Sequence, residues 1–236
     1  MDYRDTPIFI LNFNRLEIGF RDLLAWLKRT GMTRIAVVDN ASTFPPLLDF
    51  YDSPAMNGIQ IIHAGANLGY EAIWKLGLHN LPSASSRYIL TDPDIVPDTQ
   101  CPLDLVRKMH EVADRYTPAK VGPALRVDNL PDCFAQRNYI SGCEAPYWTR
   151  RLAPDCWSAL IDTTFALYES GWERWPHCTH GAQHVRLDFP YVVNHIPWYE
   201  DSANPSVEAC YYRAHVAPGF SSSNIQPVPV FEPEVV

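Results

Sequence analysis

Residues 88–97 read Tyr-Ile-Leu-Thr-Asp-Pro-Asp-Ile-Val-Pro, an apolar run that ends in two carboxylates one residue apart. A strand carrying Ile89 and Leu90 is buried in a sheet. Side chains alternate faces along extended chain, so Asp92 and Asp94 point the same way at its carboxyl end. Two carboxylates placed like this repel each other. A bound divalent cation relieves the repulsion, and oxygen ligands favour Mg2+ or Mn2+ over zinc. Pro93 and Pro97 stiffen the turn and reduce the entropy lost when an ion is gripped. Taken alone, the pair reads equally as a helix cap and a solvated turn residue, so the surrounding chain decides.

Around this stretch, short apolar runs alternate with helical spacing. Residues 7–13 and 34–38 have the length and continuity of buried strands. Between them Leu16, Phe20, Leu23, Leu24 and Leu27 recur at helical spacing as far as Gly31. Pro45 and Pro46 open a short helix through Tyr51. Residues 58–63 predict a third strand, residues 70–78 a helix, and residues 88–90 the strand that carries the carboxylates. This alternation specifies an α/β fold with a mostly parallel sheet, right-handed crossovers and helices on both faces. Such sheets bind ligands at the carboxyl ends of their strands. Asp39 with Asn40, Asn67 ahead of Gly69, and Asp92 all fall there, so three segments bring polar groups to one edge. Each of them alone also reads as a turn former.

Beyond Pro97 the positions Leu103, Leu105, Val106, Met109 and Val112 predict a covering helix, and residues 121–127 another strand. From 128 to 151 the pattern loosens. There Glu144, Tyr147, Trp148, Arg150 and Arg151 mix charge with aromatic surface as binding loops do, although Trp148 suits a core position equally. Residues 158–168 form an apolar stretch interrupted by Asp162, a carboxylate that must be paired, hydrogen-bonded or functional. His177, Cys178, His180 and His184 match no standard zinc spacing and read as a polar loop. Residues 189–193 predict a strand with His195 at its end, either a metal ligand or an imidazole satisfied by a carbonyl. From Ser221 the chain is rich in serine and proline. The organisation expected is one catalytic-size domain over residues 1–220 and an extended or mobile tail over residues 221–236.

Composition closes off several functions. With 27 acidic against 19 basic residues, the net charge of -8 argues against a general nucleic-acid binder or a polybasic membrane anchor and leaves room for a small basic pocket. Its six cysteines are unevenly spaced and include no C-x-x-C pair, so they are expected to be reduced and mostly buried thiols of a cytoplasmic protein. A strand is expected to begin after six residues with no secretory leader ahead of it, and no run approaches the roughly 20 apolar residues of a membrane span. Peripheral contact is the membrane contact this leaves for a lipid-linked substrate.

The order of these pieces resembles the GT-A glycosyltransferases, and is most similar to bacterial and viral surface-glycan enzymes of the family 2 type. The likeness is carried by the opening strand, Val37-Val38-Asp39-Asn40-Ala41-Ser42, Asn67-Leu68-Gly69, and Thr91-Asp92-Pro93-Asp94 as the D-x-D. It continues through Ile161-Asp162-Thr163-Thr164-Phe165-Ala166-Leu167-Tyr168 and His195-Ile196-Pro197-Trp198-Tyr199. The resemblance implies a nucleotide-sugar donor linked to UDP, dTDP or GDP, a glycan or glycolipid acceptor, and Mn2+ or Mg2+ as cofactor. It implies that Asp39 accepts a hydrogen bond from the nucleotide base and that Asn67 lies against the nucleoside. Asp92, Asp94 and His195 would hold the metal, and Arg186 would clamp phosphate. Asp162 matches the general base of inverting members, with Asp155 or Glu200 as the substitutes. Tyr147, Trp148, Arg150 and Trp198 would line the acceptor side. The Glu-Asp base pair and the Q-x-x-R-W element common in family 2 are absent, as are the membrane spans of polymerising synthases, which argues for transfer of a single sugar.

Three other functions compete. A sugar-phosphate nucleotidyltransferase needs a glycine-rich loop after the first strand, where this chain has Asn12-Phe13-Asn14-Arg15-Leu16-Glu17 and no glycine before Gly19. A non-catalytic sugar- or nucleotide-binding protein could use the same fold. A retaining glycosyltransferase would differ in product stereochemistry.

Overall fold

Strands β1 (Ile8–Asn12) and β2 (Ile35–Asp39) are buried at every position, the mark of strands covered on both faces of a parallel sheet. The computed structural model of the chain describes residues 2–80, 87–161, 164–169 and 184–216. The remaining strands are β3 (Gln60–His63), β4 (Arg87–Thr91), β5 (Ile95–Pro97), β6 (Lys120–Leu125), β7 (Arg151–Ala153), β8 (Cys156–Ser158), β9 (Ala166–Glu169) and β10 (His184–His195). They form one ten-stranded sheet in the order β3-β2-β1-β4-β9-β6-β10-β8-β7, with β5 laid against the end of β10. Strands β1, β2, β3, β4, β6 and β10 run the same way, and β9, β5, β8 and β7 complete the sheet in antiparallel pairings.

Alternation along the strands divides the core in two. Ile8, Ile10, Val37 and Ile89 face one side, where they meet α1 (Phe20–Arg29), α2 (Pro45–Tyr51) and α4 (Leu105–Tyr116). Phe9, Leu11, Val38 and Leu90 face the other, against Ala72 and Ile73 of the single-turn α3 (Ala72–Lys75). In α1 the buried set Phe20, Leu23, Leu24, Trp26 and Leu27 follows the expected spacing, and Lys28 and Arg29 complement the helix dipole in the last turn. Two further helices, α5 (Arg137–Glu144) and α6 (Val207–His215), cover the later part of the chain.

Three expectations change. The helix over 70–78 is only α3, set between 3-10 turns at Gly69–Glu71 and Leu78–Asn80, because Gly77 adopts φ 68 and stops it. The strand over 189–193 is the carboxyl half of the twelve-residue β10; its register against β6 shifts between Leu187 and Val192, which breaks the apolar alternation around Pro190. The five described cysteines are free, but only Cys101 and Cys156 of them are buried, whereas Cys133, Cys143 and Cys210 lie on outer surfaces. Among the described residues no helix is long and apolar enough to cross a membrane. The segment of His177, Cys178 and His180 and the tail over 221–236 lie outside the described residues.

Candidate active site

The carboxyl edge of the parallel strands collects the polar residues. The register sets Asn12 of β1 beside Asp39 of β2 and Asp39 beside His63 of β3. Asp39 is buried, with Oδ1 accepting from the Tyr51 hydroxyl at 3.0 Å and Oδ2 from the Ser42 amide at 3.1 Å. Burial first, then the Asp39 charge, push the Tyr51 phenol far above its ordinary value, so the phenol stays protonated and donates. Asn40 ties the next turn to this edge: its Oδ1 accepts from the Leu68 amide at 3.3 Å and its Nδ2 donates to the Gly69 carbonyl at 3.2 Å. Within that turn Asn67 accepts from the Gly69 amide at 3.0 Å. Two of the three segments marked in the sequence, Asp39-Asn40 and the Asn67 turn, are therefore tied together.

Asp92 follows β4, and Thr91 donates its hydroxyl proton to the Asp92 carbonyl at 3.0 Å. The chain then turns over Gly19, whose ideal Cβ would lie 2.6 Å from the Asp94 Cα, and enters β5. Pairing of β5 with the end of β10 puts Ile95 opposite His195, and the Ile196 amide donates to the Asp94 carbonyl at 2.9 Å. This brings the His195 Nε2 to 3.7 Å from Asp94 Oδ1, both side chains being largely buried. The Trp198 ring stands 4.7 Å from the imidazole, edge to face. Asp94 and His195, 101 positions apart in sequence, thus meet at this edge.

A carboxylate and an imidazole at this separation suit two positions on one divalent ion, given that ligands of an octahedral ion sit about 3 Å apart. Asp92 lies one residue ahead of the turn, just past β4. Among the described residues no three His, Cys, Asp or Glu side chains are grouped so as to hold a metal ion, so Asp94 and His195 stand as a pair. The donor set fits a hard cation that takes its remaining ligands from phosphate and water, the usual habit of Mg2+ and Mn2+.

Arg186 is not at this edge. It lies on β10 opposite Gly122, five rows of the sheet below His195, about 17 Å along the strand. Its buried guanidinium donates to Glu144 Oε2 and to the Leu160 carbonyl, both at 2.6 Å, and lies over the Tyr147 ring. Tyr147 and Trp148 belong to this second cluster, where Trp148 meets Trp157 edge to face at 5.9 Å. The Arg150 carbonyl accepts from the Ser158 amide, and its side chain is exposed. Asp162 lies outside the described residues; nearby in the chain Ile161 is buried, and the Phe165 carbonyl lies so close to Gly122 that a Cβ there would sit 2.3 Å from it. Of the substitute bases, Asp155 is held by Lys108 at 2.8 Å; that hydrogen bond, acting against burial, keeps it below the usual carboxylate range. Glu200 accepts from the Ser206 hydroxyl at 2.7 Å.

Arg15 and Gly19 were not among the residues marked from sequence. Both lie in the loop between β1 and α1, and the signal available was a cationic residue just past the end of a buried strand.

The sequence matches no protein-family model and no curated protein. Solved structures do match. A mannosyltransferase, PcManGT from Pyrobaculum calidifontis in complex with GDP-Man and Mn2+, superposes with a TM-score of 0.53 at 13% identity, covering 88% of this chain and 59% of its own. GalNAc-T7 with UDP, GalNAc and Mn2+ superposes with a TM-score of 0.52 at 11% identity, covering 81% of this chain and 43% of its own. The fold is GT-A. Antiparallel pairing of β5 with the end of β10 sets Asp94 against His195. The chain spans 59% and 43% of the two matched chains, so the likeness covers part of either protein and not the whole.

Proposed function

We propose that this chain is a metal-dependent glycosyltransferase that moves one sugar from a nucleotide-diphosphate sugar to a hydroxyl of a glycan or glycolipid acceptor. The observation that carries the reading is the placement of Asp94 against His195 at the carboxyl edge of a GT-A sheet, with Asp39 and the Asn67 turn at the same edge. It is supported by the ligands of the matched structures, GDP-Man with Mn2+ in one and UDP with GalNAc and Mn2+ in the other. Asp94 and His195, with Asp92, would hold Mn2+ or Mg2+, which supplies charge stabilisation to a departing diphosphate. Asp39, kept in place by Tyr51 and Ser42, retains lone pairs for a donor on the base. Asn67 and its turn flank the nucleoside. Trp198, packed on His195, would be the apolar wall on which the acceptor sugar stacks, whereas Tyr147 and Trp148 sit with Arg186 away from this edge and take no part in that wall. Asp162 is the proposed base: as a carboxylate between the buried Ile161 and Phe165 it would take the proton of the attacking hydroxyl, giving inversion.

The test is thermal unfolding against UDP, dTDP and GDP, with and without Mn2+. A nucleotide held at about 100 times its Kd adds roughly 2.7 kcal/mol, about 5–10 °C for a chain of this length. The expected result is a shift with one nucleotide that needs the metal and disappears in Asp94→Ala, with Asp162→Asn keeping the shift and losing sugar transfer. No shift with any nucleotide would overturn the reading in favour of a protein that does not bind nucleotide sugars.

A further inference from the structure

Arg15 is buried in the same edge and the reading above gives it no task. Its side chain is 6% exposed, its Nε lies 3.6 Å from Asp94 Oδ2, and its guanidinium carbon stands 3.7 Å over the Tyr212 ring. The backbone holds it there from both sides. Its amide donates to Asn12 Oδ1 at 3.2 Å and its carbonyl accepts from Asn12 Nδ2 at 3.0 Å. Asn14, in the left-handed region at φ 54, turns the loop into this position, and its Oδ1 accepts from the Thr43 and Phe44 amides.

A guanidinium stays charged at any working pH and carries five donors. Here Nε and Nη1 are both buried without a hydrogen-bond partner. Asp94 balances the charge at ion-pair distance without accepting a hydrogen bond from it, and Tyr212 lays its ring face under the guanidinium. Buried donors left unsatisfied cost about 1–3 kcal/mol each, which selects against such an arrangement unless a ligand completes it. The ligand must carry several oxygens, must be anionic, and must reach a fork that lies beside a carboxylate. A carboxylate repels anions, so the anion has to arrive with a cation that neutralises Asp94. A diphosphate with its divalent ion meets all three conditions.

We propose that Arg15 is a donor-binding residue, pairing with Asp94 when the site is empty and taking phosphate oxygens of the nucleoside diphosphate when the metal takes over Asp94. This rests on the glycosyltransferase reading and adds a residue to it. Because Arg15 and the metal compete for the same carboxylate, its removal has opposite effects on the two ligands: diphosphate binding weakens, and binding of the metal alone does not.

Calorimetric titration of wild type, Arg15→Met and Arg15→Lys tests this with three probes: the nucleoside diphosphate that shifts wild type, with Mn2+; the corresponding nucleoside; and Mn2+ alone. In Arg15→Met the diphosphate is expected to bind at least about tenfold more weakly, as befits the loss of a charge-assisted pair, while the nucleoside binds as in wild type and Mn2+ binds as well or better. Arg15→Lys, which keeps the charge and guards against a variant that fails to fold, is expected to recover part of the diphosphate affinity. Equal weakening of diphosphate and nucleoside would assign Arg15 a structural role and overturn the proposal, as would unchanged diphosphate binding or loss of Mn2+ binding in Arg15→Met. If wild type binds none of the diphosphates, the glycosyltransferase reading fails first and this falls with it.

Discussion

Gly19 shows how one residue can set the geometry of a site it does not chemically join. Its φ of 97 lies in the region that favours glycine, and an added Cβ would meet the Asp94 Cα at 2.6 Å and the Pro93 carbonyl at 3.0 Å. Backbone atoms cannot swing aside as a flexible side chain can, so Gly19→Ala must either distort the start of α1 or push the turn that carries Asp94 away from His195. The expected outcome is a loss of roughly 1–3 kcal/mol in urea unfolding, together with weaker Mn2+ binding. A variant with wild-type values in both measurements would mean that the turn is not seated on Gly19. In the sequence, Gly19 carries a different message, since its distance from β1 argues against a glycine-rich triphosphate loop. What it touches becomes visible only when α1 and β5 are brought together.

At the scale of elements, α6 acts as a clasp on the loop that holds Arg15. The buried Glu208 accepts from the amides of Glu17 at 2.7 Å and Ile18 at 3.0 Å, and the Tyr211 hydroxyl donates to the Thr43 carbonyl at 2.9 Å. Glu208→Ala leaves two amides unpartnered, one of them buried, and should cost about 2–4 kcal/mol of stability, read as a lower thermal midpoint. If Arg15 depends on this clasp, diphosphate affinity falls in the same variant. An unchanged midpoint would show that the loop needs no anchor. The central strands were legible because strands buried on both faces are written as continuous apolar runs, as in residues 34–38. The helix α6 was not, because of its nine residues only Glu208 and Ala209 are buried, and a buried glutamate does not register in an apolar period. Its one local signal was Ser206, whose hydroxyl caps the Ala209 amide at 3.1 Å. Arg186 misled for the same reason: a lone arginine on a strand reads as an anion clamp until Glu144, 42 positions earlier, is found bonded to it.

At the scale of the molecule, the site depends on three segments meeting at its rim, and Asp98 joins them. Just past β5, it accepts from the Gln100 amide at 3.0 Å, from Arg126 beyond β6 at 3.0 Å and from Asn194 of β10 at 3.3 Å. Burial by itself would raise its pKa, but these donors outweigh burial and hold it below the ordinary 3.8. With a native pKa lower than the unfolded one, the native state binds fewer protons, so the contribution is full above about pH 3.8 and fades as pH falls through the native value. Asp98→Asn removes the charge while keeping the shape. The variant should be less stable than wild type at pH 7 by about 1–3 kcal/mol, with Arg126 still paired to Asp128 and limiting the loss. On acidification wild type alone loses this term, so the two urea midpoints should converge as pH approaches 3. A gap that stays constant from pH 7 to pH 3 would show that Asp98 acts through packing alone. A gap that widens would mean its native pKa is raised, which would reverse the part assigned to Arg126 in holding β5, β6 and β10 together beneath the proposed metal pair.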